Sequence, residues 1–160
     1  MPIAVRDARP ADAPTIVEFN AALALESEGK QLDRALLEPG VRALLADRAK
    51  GRYFIAERDG AVVGQTMITY EWSDWRNGTF WWIQSVFVPA AQRRSGVFRA
   101  LHAHILALAR SDPSVCGIRL YVEDHNAHAQ RTYLALGMVG GGYAVLEQDF
   151  RAPRRLAAPD

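Results

Sequence analysis

The fold of this 160-residue chain is decided by one stretch: Val86-Phe87-Val88-Pro89-Ala90-Ala91-Gln92-Arg93-Arg94-Ser95-Gly96-Val97-Phe98-Arg99-Ala100-Leu101. It begins as an apolar strand, passes through a short basic loop and continues as an amphipathic helical pattern. The first backbone N–H groups of a helix lack partners within the helix, and the helix dipole adds positive charge there. Arg93 and Arg94 add formal charge, and Gly96 allows an anion to approach the backbone. The stretch therefore predicts a phosphate site.

Two common phosphate motifs do not fit this loop. A P-loop carries a lysine directly after its last glycine, and no lysine lies near Gly96. A dinucleotide fingerprint needs three spaced glycines, which are also missing here. The alternative interpretation, solvated arginines and an ordinary turn, stays equally open when the loop is taken alone.

A second segment joins the apolar strand Ile118–Val122 to Asn126, Ala129 and Tyr133, followed by Leu136-Gly137-Met138. Asn126 and Tyr133 are two helical turns apart, so they share one helix face with the small Ala129 between them. The alternative interpretation is that Asn126 only caps the helix and Tyr133 only packs in the core. Taken alone, this segment favours the alternative.

Together the two segments resemble the GNAT superfamily of N-acetyltransferases, from about Ile3 to Phe150. Val86–Leu101 matches the family's coenzyme A pyrophosphate loop and helix, and Leu120–Met138 matches its second signature. Phe98 departs from the pattern, because it stands where the family usually has a small residue. The resemblance implies an α/β fold with a mixed, mostly antiparallel sheet of six to seven strands and helices on both faces. Acetyl-CoA would lie in a cleft between two central strands.

The resemblance also implies roles for single residues. Backbone amides of Val86–Val88 would hold the pantetheine and the developing oxyanion. Tyr133 would protonate the leaving thiolate as general acid. Gln84 stands where many members have a glutamate base, and since a carboxamide cannot take that proton, we expect Gln84 to orient substrate or to be a polar residue on an exposed strand face. The predicted cofactor-binding residues are Val86, Phe87, Val88, Arg93, Arg94, Ser95, Gly96, Val97, Phe98 and Asn126.

The segment Tyr70–Trp82 contains all four tryptophans together with Glu71 and Asp74. Aromatic rings beside carboxylates suit a cationic or aromatic amine, so we predict an acceptor site of Glu71, Asp74 and Gln84, with Glu71 as a candidate base. The alternative interpretation is a hairpin whose aromatic side chains pair across strands and pack the core, with Glu71 or Asp74 simply paired to Arg76. The resemblance would place the acidic loop Glu26-Ser27-Glu28 at the border of the acceptor site, and a solvated loop explains this segment equally well.

Composition and termini narrow the function class. The net charge of +1 argues against a nucleic-acid partner, and no apolar run is long enough for a membrane span. The N-terminus lacks the pattern of a signal peptide, so we expect a cytoplasmic protein. His125 and His128 have no matching ligand cluster nearby, so no metal is expected.

The positions of turn and helix-breaking residues predict one domain over residues 1–150 and a C-terminal tail over residues 151–160. A helix is expected from Pro10 to about Leu25 and a second one capped by Asp33, with a break or kink at Pro39-Gly40. Asp59-Gly60 and Arg76-Asn77-Gly78 predict hairpin turns. A last strand is expected from about Tyr143 to Phe150.

The sequence predicts an acetyl-CoA-dependent N-acetyltransferase that acts on a primary amine of a small molecule, peptide or protein. Two non-catalytic alternatives stay open. One is a module that binds or senses acyl-CoA. The other is a protein-interaction domain that uses the aromatic hairpin, and its partner could be a second copy of the chain in a homodimer. Tyr133 favours catalysis, because a pure binder has no need of an acid at that position.

Overall fold

The computed structural model describes residues 1–151, so residues 152–160 of the predicted tail lie outside the described part. The chain forms two compact units, Met1–Tyr121 and a second unit that begins at Val122. The first unit contains the whole sheet and three of the α-helices. The domain predicted over residues 1–150 includes both units, and its boundaries stay a prediction.

Five strands form one mixed sheet in the order β1-β2-β3-β4-β5. The β1–β2, β2–β3 and β3–β4 pairings are antiparallel and the β4–β5 pairing is parallel, as the predicted fold class requires. Asp59 and Gly60 both have positive φ, 52° and 77°, which two-residue hairpin turns demand. The strands are β1 (Ala4–Asp7), β2 (Arg52–Arg58), β3 (Ala61–Ser73), β4 (Gly78–Phe87) and β5 (Val115–Leu120).

Three α-helices belong to the first unit: α1 (Ala13–Glu28), α2 (Arg34–Ala46) and α3 (Val97–Ser111). α1 begins and ends about three residues later than predicted, because Pro10–Asp12 form a separate 3-10 turn and Gly29 ends the helix with a left-handed φ of 62°. The predicted acidic loop at residues 26–28 is therefore the last turn of α1. Asp33 caps α2 as predicted, accepting a hydrogen bond from the Ala35 amide, but the helix continues across Pro39 without a break.

Each face of the sheet has its own hydrophobic core, so helices cover both faces as predicted. α3 packs on one face, in a cluster that includes Phe54, Ile68, Trp81, Leu101 and Ile105. α1 and α2 pack on the other, in a cluster that includes Ile16, Val17, Val41, Ile55 and Met67. Gly64 of β3 allows α3 to approach, because a Cβ at this position would lie 2.7 Å from Cγ1 of Val97.

The regular part of the second unit is α4 (Ala127–Ala135). Asn126 is its N-cap, with Oδ1 accepting a hydrogen bond from the Ala129 amide at 3.0 Å. Gly137 follows the last turn with a φ of 93°, as expected of a C-terminal cap. Within residues 1–151, no helix combines the length and the apolar character needed to cross a bilayer.

The predicted last strand is wrong, and with it the count of six to seven strands. Residues 143–150 are described and contain no strand, and Tyr143, Leu146 and Phe150 are 82%, 95% and 90% exposed. Alternating β-branched and aromatic residues show only that a segment fits a pleated surface, whereas a strand also needs an edge that pairs with its backbone. The pattern therefore indicated the β-propensity of this segment but not whether a neighbouring strand would pair with it.

Candidate functional site

β4 extends past the end of β5, which leaves part of one β4 edge without a neighbouring strand. The parallel pairing ends with Ile83 opposite Leu120, whereas β4 continues to Phe87. On its other edge β4 stays paired with β3. Among the described strands none pairs with β4 from Gln84 to Phe87 on the β5 side. Backbone groups there can bond an extended ligand as a further strand would.

A β-bulge lies within this open part of β4. Met67 pairs with Gln84 and Gln65 pairs with Phe87, so Ser85 and Val86 together face the single residue Thr66. Ser85 has a φ of 50°, in the left-handed region that is unfavourable for residues other than glycine. The bulge turns the backbone at the residues that the sequence predicted to hold a thioester.

The predicted phosphate loop joins β4 to the first turn of α3. Arg94 and Gly96 adopt left-handed φ values of 61° and 88°, and α3 follows with fifteen residues. Arg58 anchors the loop from β2, donating hydrogen bonds to the Ser95 carbonyl at 2.9 Å and to Ser95 Oγ at 3.2 Å. The loop therefore presents backbone amides at a helix N-terminus, which is an arrangement that binds anions.

The two arginines of the loop have different surroundings. The Arg93 guanidinium lies 2.5 Å from a Glu26 carboxylate oxygen and also donates to the Val88 carbonyl at 2.9 Å. Arg93 thus ties the loop to the last turn of α1. Arg94 is exposed, and within residues 1–151 its side chain has neither an ion pair nor a hydrogen bond. Arg94 is therefore the arginine that can receive an anion without releasing another partner.

The Phe98 side chain faces the sheet. It lines a small cavity together with Val86 and Ile83 of β4, and its ring lies 6.1 Å from the His102 ring. His102 is 6% exposed, and its buried Nδ1 has no hydrogen-bond partner in the described part of the chain. Burial lowers the pKa of His102 below its usual value.

Gln84 lies half-buried on β4, and its amide nitrogen donates to Thr69 Oγ1 at 2.6 Å. Farther along the sheet, the Glu71 carboxylate accepts hydrogen bonds from Arg119 at 2.7 Å and from the Trp82 indole at 3.3 Å. The Trp82 and Tyr121 rings stack with centroids 4.4 Å apart. Glu71 is therefore part of a paired, aromatic cluster.

The predicted acceptor residues do not all come together. Glu71 pairs with Phe80, four residues from Gln84, so about 13 Å separates them along the strand. Asp74 lies in the turn beyond Ser73, where its carboxylate accepts a hydrogen bond from the Trp75 amide at 2.9 Å. Its separation from Gln84 is about 20 Å on the same reasoning.

The four tryptophans differ in exposure, and they do not form a single aromatic site. Trp81 is 6% exposed and packs in the core, as the hairpin interpretation expects. Trp72 and Trp75 are 62% and 87% exposed near the hairpin tip. Trp82 lies between these extremes, half-buried and stacked on Tyr121.

Tyr133 and Asn126 belong to the second unit. Tyr133 is half-buried on α4, and burial raises the pKa of its hydroxyl above the usual value, so the hydroxyl keeps its proton at neutral pH. That is the state a proton donor needs. Among residues 1–151, no group of three or more histidine, cysteine or acidic side chains is arranged to hold a metal ion.

The fold, the open edge of β4 and the arginine-bearing loop at the start of α3 define an α/β domain with a candidate site for an extended, phosphate-bearing ligand. The profile of the Acetyltransferase (GNAT) family matches residues 19–138. The chain therefore belongs to this family of acetyltransferases.

Solved structures agree with this assignment. A possible acetyltransferase from Clostridium difficile 630 is 46% identical with a TM-score of 0.87, over 94% of this chain and 99% of that one. An integron cassette protein from the mobile metagenome of Cole Harbour Salt Marsh shares the fold at 21% identity and a TM-score of 0.80, over 93% and 91% of the two chains. A ribosomal-protein-alanine N-acetyltransferase from Brucella melitensis biovar Abortus 2308 shares it at 16% identity and a TM-score of 0.73, over 92% and 99%. No curated protein sequence matches the chain.

Proposed function

We propose that this acetyltransferase moves an acetyl group from acetyl-CoA to a primary amine. The open edge of β4 from Gln84 to Phe87, next to the anion-binding loop at the start of α3, is the observation that carries the proposal. Pantetheine is an extended chain with two amides, so it can pair with this edge as a short strand would. The pyrophosphate would then meet the amides that follow Arg94, at the N-terminus of α3.

The residues present fit such a ligand. Gly96 leaves room at the loop, since within residues 1–151 a Cβ at this position would lie near only the tip of Ile3, at 3.9 Å. Arg58 holds the loop in shape through Ser95, and Phe98 faces β4. Arg94 supplies an exposed positive charge beside the amides. Val86, Phe87 and Val88 would supply main-chain groups for the pantetheine.

The enzyme must hold the thioester, stabilise the negative charge on its carbonyl oxygen, provide a neutral amine and protonate the leaving thiolate. The chain offers residues for all of these except the removal of the amine proton. The amine nitrogen forms a bond to the acetyl carbon, the carbon–sulfur bond breaks, and the carbonyl oxygen carries negative charge in between. Main-chain N–H groups at the β4 bulge would stabilise that charge. A base takes one proton from the amine, and the thiolate gains one. We assign the second proton to the hydroxyl of Tyr133, which burial keeps protonated.

The acceptor would bind on the sheet face that carries Gln84, Trp82 and Glu71. The stacked rings of Trp82 and Tyr121 offer a platform for a cation or an aromatic ring, and Glu71 adds negative charge. Because Glu71 is paired with Arg119 and lies about 13 Å from Gln84 along the strand, its position favours acceptor binding over direct deprotonation. The amine would then arrive neutral or lose its proton through water.

Acetyl transfer can be measured directly by following thiol release from acetyl-CoA in the presence of a panel of amines. The panel should contain aliphatic diamines, arylalkylamines and peptides with free N-termini, each product being checked for a mass gain of one acetyl group. We expect amine-dependent thiol release with at least one class. Tight acetyl-CoA binding without acetylation of any amine would instead support the binding module.

A further inference from the structure

Four polar residues form a hydrogen-bonded chain on the sheet face covered by α1. Gln65 of β3 is fully buried, and its Nε2 donates to Asn20 Oδ1 at 2.8 Å and to the Ser85 carbonyl at 3.2 Å. Asn20 of α1 donates in turn to the Tyr53 hydroxyl at 2.9 Å. The hydrogen-bonded chain therefore runs from the Ser85 carbonyl through Gln65 and Asn20 to the Tyr53 hydroxyl.

Ser85 is the residue whose backbone departs most from strand geometry in β4. Its left-handed φ of 50° costs free energy in a residue with a Cβ, and such a conformation persists only where the surroundings enforce it. Two residues, Ser85 and Val86, face the single Thr66, so the regular ladder is interrupted here. Gln65 supplies a side-chain donor for the Ser85 carbonyl within this interruption.

Stability of the core alone does not explain this arrangement. A fully buried amide is costly unless all its polar atoms are satisfied, and Gln65 Oε1 has no hydrogen-bond partner within residues 1–151. The neighbours Ile55 and Met67 show that the same face accepts apolar side chains. Proteins keep such unfavourable local arrangements mainly at functional sites.

We propose that Asn20, Tyr53 and Gln65 are positioning residues that hold the Ser85 bulge and thereby aim the main-chain groups of Val86 and Phe87 at the thioester. This inference rests on the proposed acetyl-CoA site. None of the three side chains touches the reacting atoms in this account. They act through the backbone of Ser85, so they set the rate of transfer and leave the pyrophosphate contacts unchanged.

The test compares Gln65→Leu and Tyr53→Phe with the control Ile55→Val, a buried change on the same sheet face that leaves the polar chain intact. Two quantities are measured on the whole protein: kcat for acetyl-CoA and the dissociation constant of CoA. The third readout is the ¹³C chemical shift of Ser85 without ligand, which reports its φ. We expect Gln65→Leu to lower kcat by about 10²-fold, the scale for a misplaced reacting group. The dissociation constant of CoA should stay within about threefold of the wild-type value, and the chemical shift of Ser85 should change. The control Ile55→Val should leave kcat, the dissociation constant of CoA and the Ser85 chemical shift unchanged.

A second variant separates positioning from packing. Glycine adopts positive φ without strain, so Ser85→Gly placed in the Gln65→Leu background should recover about tenfold or more of the lost kcat. No recovery, or a kcat loss in Gln65→Leu no larger than that in Ile55→Val, would overturn the positioning role while the proposed function stands. A wild-type protein that neither binds nor cleaves acetyl-CoA would overturn both, and that failure is seen before any variant is made.

Discussion

The different surroundings of Arg93 and Arg94 lead to an unequal prediction for two similar substitutions. Arg93 already contacts Glu26 and the Val88 carbonyl, whereas Arg94 is exposed with no ion pair among the described residues. A pyrophosphate therefore gains a new contact at Arg94 and has to compete with a carboxylate at Arg93. Arg94→Ala should weaken CoA binding more than Arg93→Ala does.

The magnitudes follow from the two environments. A charge-assisted hydrogen bond contributes about 1.5–3 kcal/mol, so Arg94→Ala should raise the dissociation constant of CoA about 10- to 150-fold. The Arg93–Glu26 pair is half-exposed, and such pairs contribute at most about 1 kcal/mol. Glu26→Gln should accordingly release Arg93 and tighten CoA binding by up to about fivefold.

Calorimetric titration of CoA into the wild type and the three variants, at one fixed salt concentration, checks the order. Pantetheine, which lacks the pyrophosphate, is the matched control ligand, and its affinity should be the same in all four proteins. A larger loss of CoA affinity in Arg93→Ala than in Arg94→Ala would contradict the role of Arg94 as the main pyrophosphate contact. So would a loss of pantetheine affinity as large as the loss of CoA affinity.

Two further predictions concern the acceptor and stability. Glu71→Gln should raise KM for a cationic amine about fivefold and leave KM for acetyl-CoA nearly unchanged. Asp74→Asn should raise KM for the amine by a smaller factor, because Asp74 lies at the hairpin tip. If Glu71 is also the base, its variant loses turnover mainly at low pH, and a pH–rate profile parallel to wild type excludes that role. Burial lowers the pKa of His102 in the folded state, so the folded protein takes up this proton at a lower pH than the unfolded chain, which does so near the ordinary pKa of 6.5. Stability should therefore be full above pH 6.5 and fall as the pH drops below it, and urea midpoints between pH 7 and pH 5 should fall less in His102→Leu.

Local patterns in the sequence predicted most elements of the fold. The turns at Asp59-Gly60 and at residues 76–78, the cap at Asp33 and the strand–loop–helix unit at β4 depend on a few adjacent residues, and the structure has all of them. α1 ends three residues later than predicted because Gly29 supplies its cap. The absent strand at residues 143–150 depends on a pairing partner, which no local pattern contains.

In the candidate site too, features formed by adjacent residues were predictable and features formed by distant residues were not. The strand–loop–helix geometry of the proposed anion site was predictable, because its charges, its glycine and its helix are contiguous in the sequence. Arg58, which anchors the loop, lies 37 residues from Ser95, so only the pairing of strands reveals it. Gln65 did leave a signal, as a long polar side chain within the mostly apolar run 62–68 of β3, but its contacts with Asn20 and Ser85 depend on tertiary packing.

The central claim is that this chain catalyses acetyl transfer with Tyr133 as proton donor, and comparison of the wild type with Tyr133→Phe tests it most directly. The substitution keeps the ring and removes only the hydroxyl. Thiol release from acetyl-CoA with a saturating amine should fall by about 10²-fold or more, the scale of general acid catalysis, while the dissociation constant of acetyl-CoA changes little. Turnover equal to wild type would contradict the proton-donor role. An equal loss in turnover and in acetyl-CoA affinity would make Tyr133 a packing residue instead.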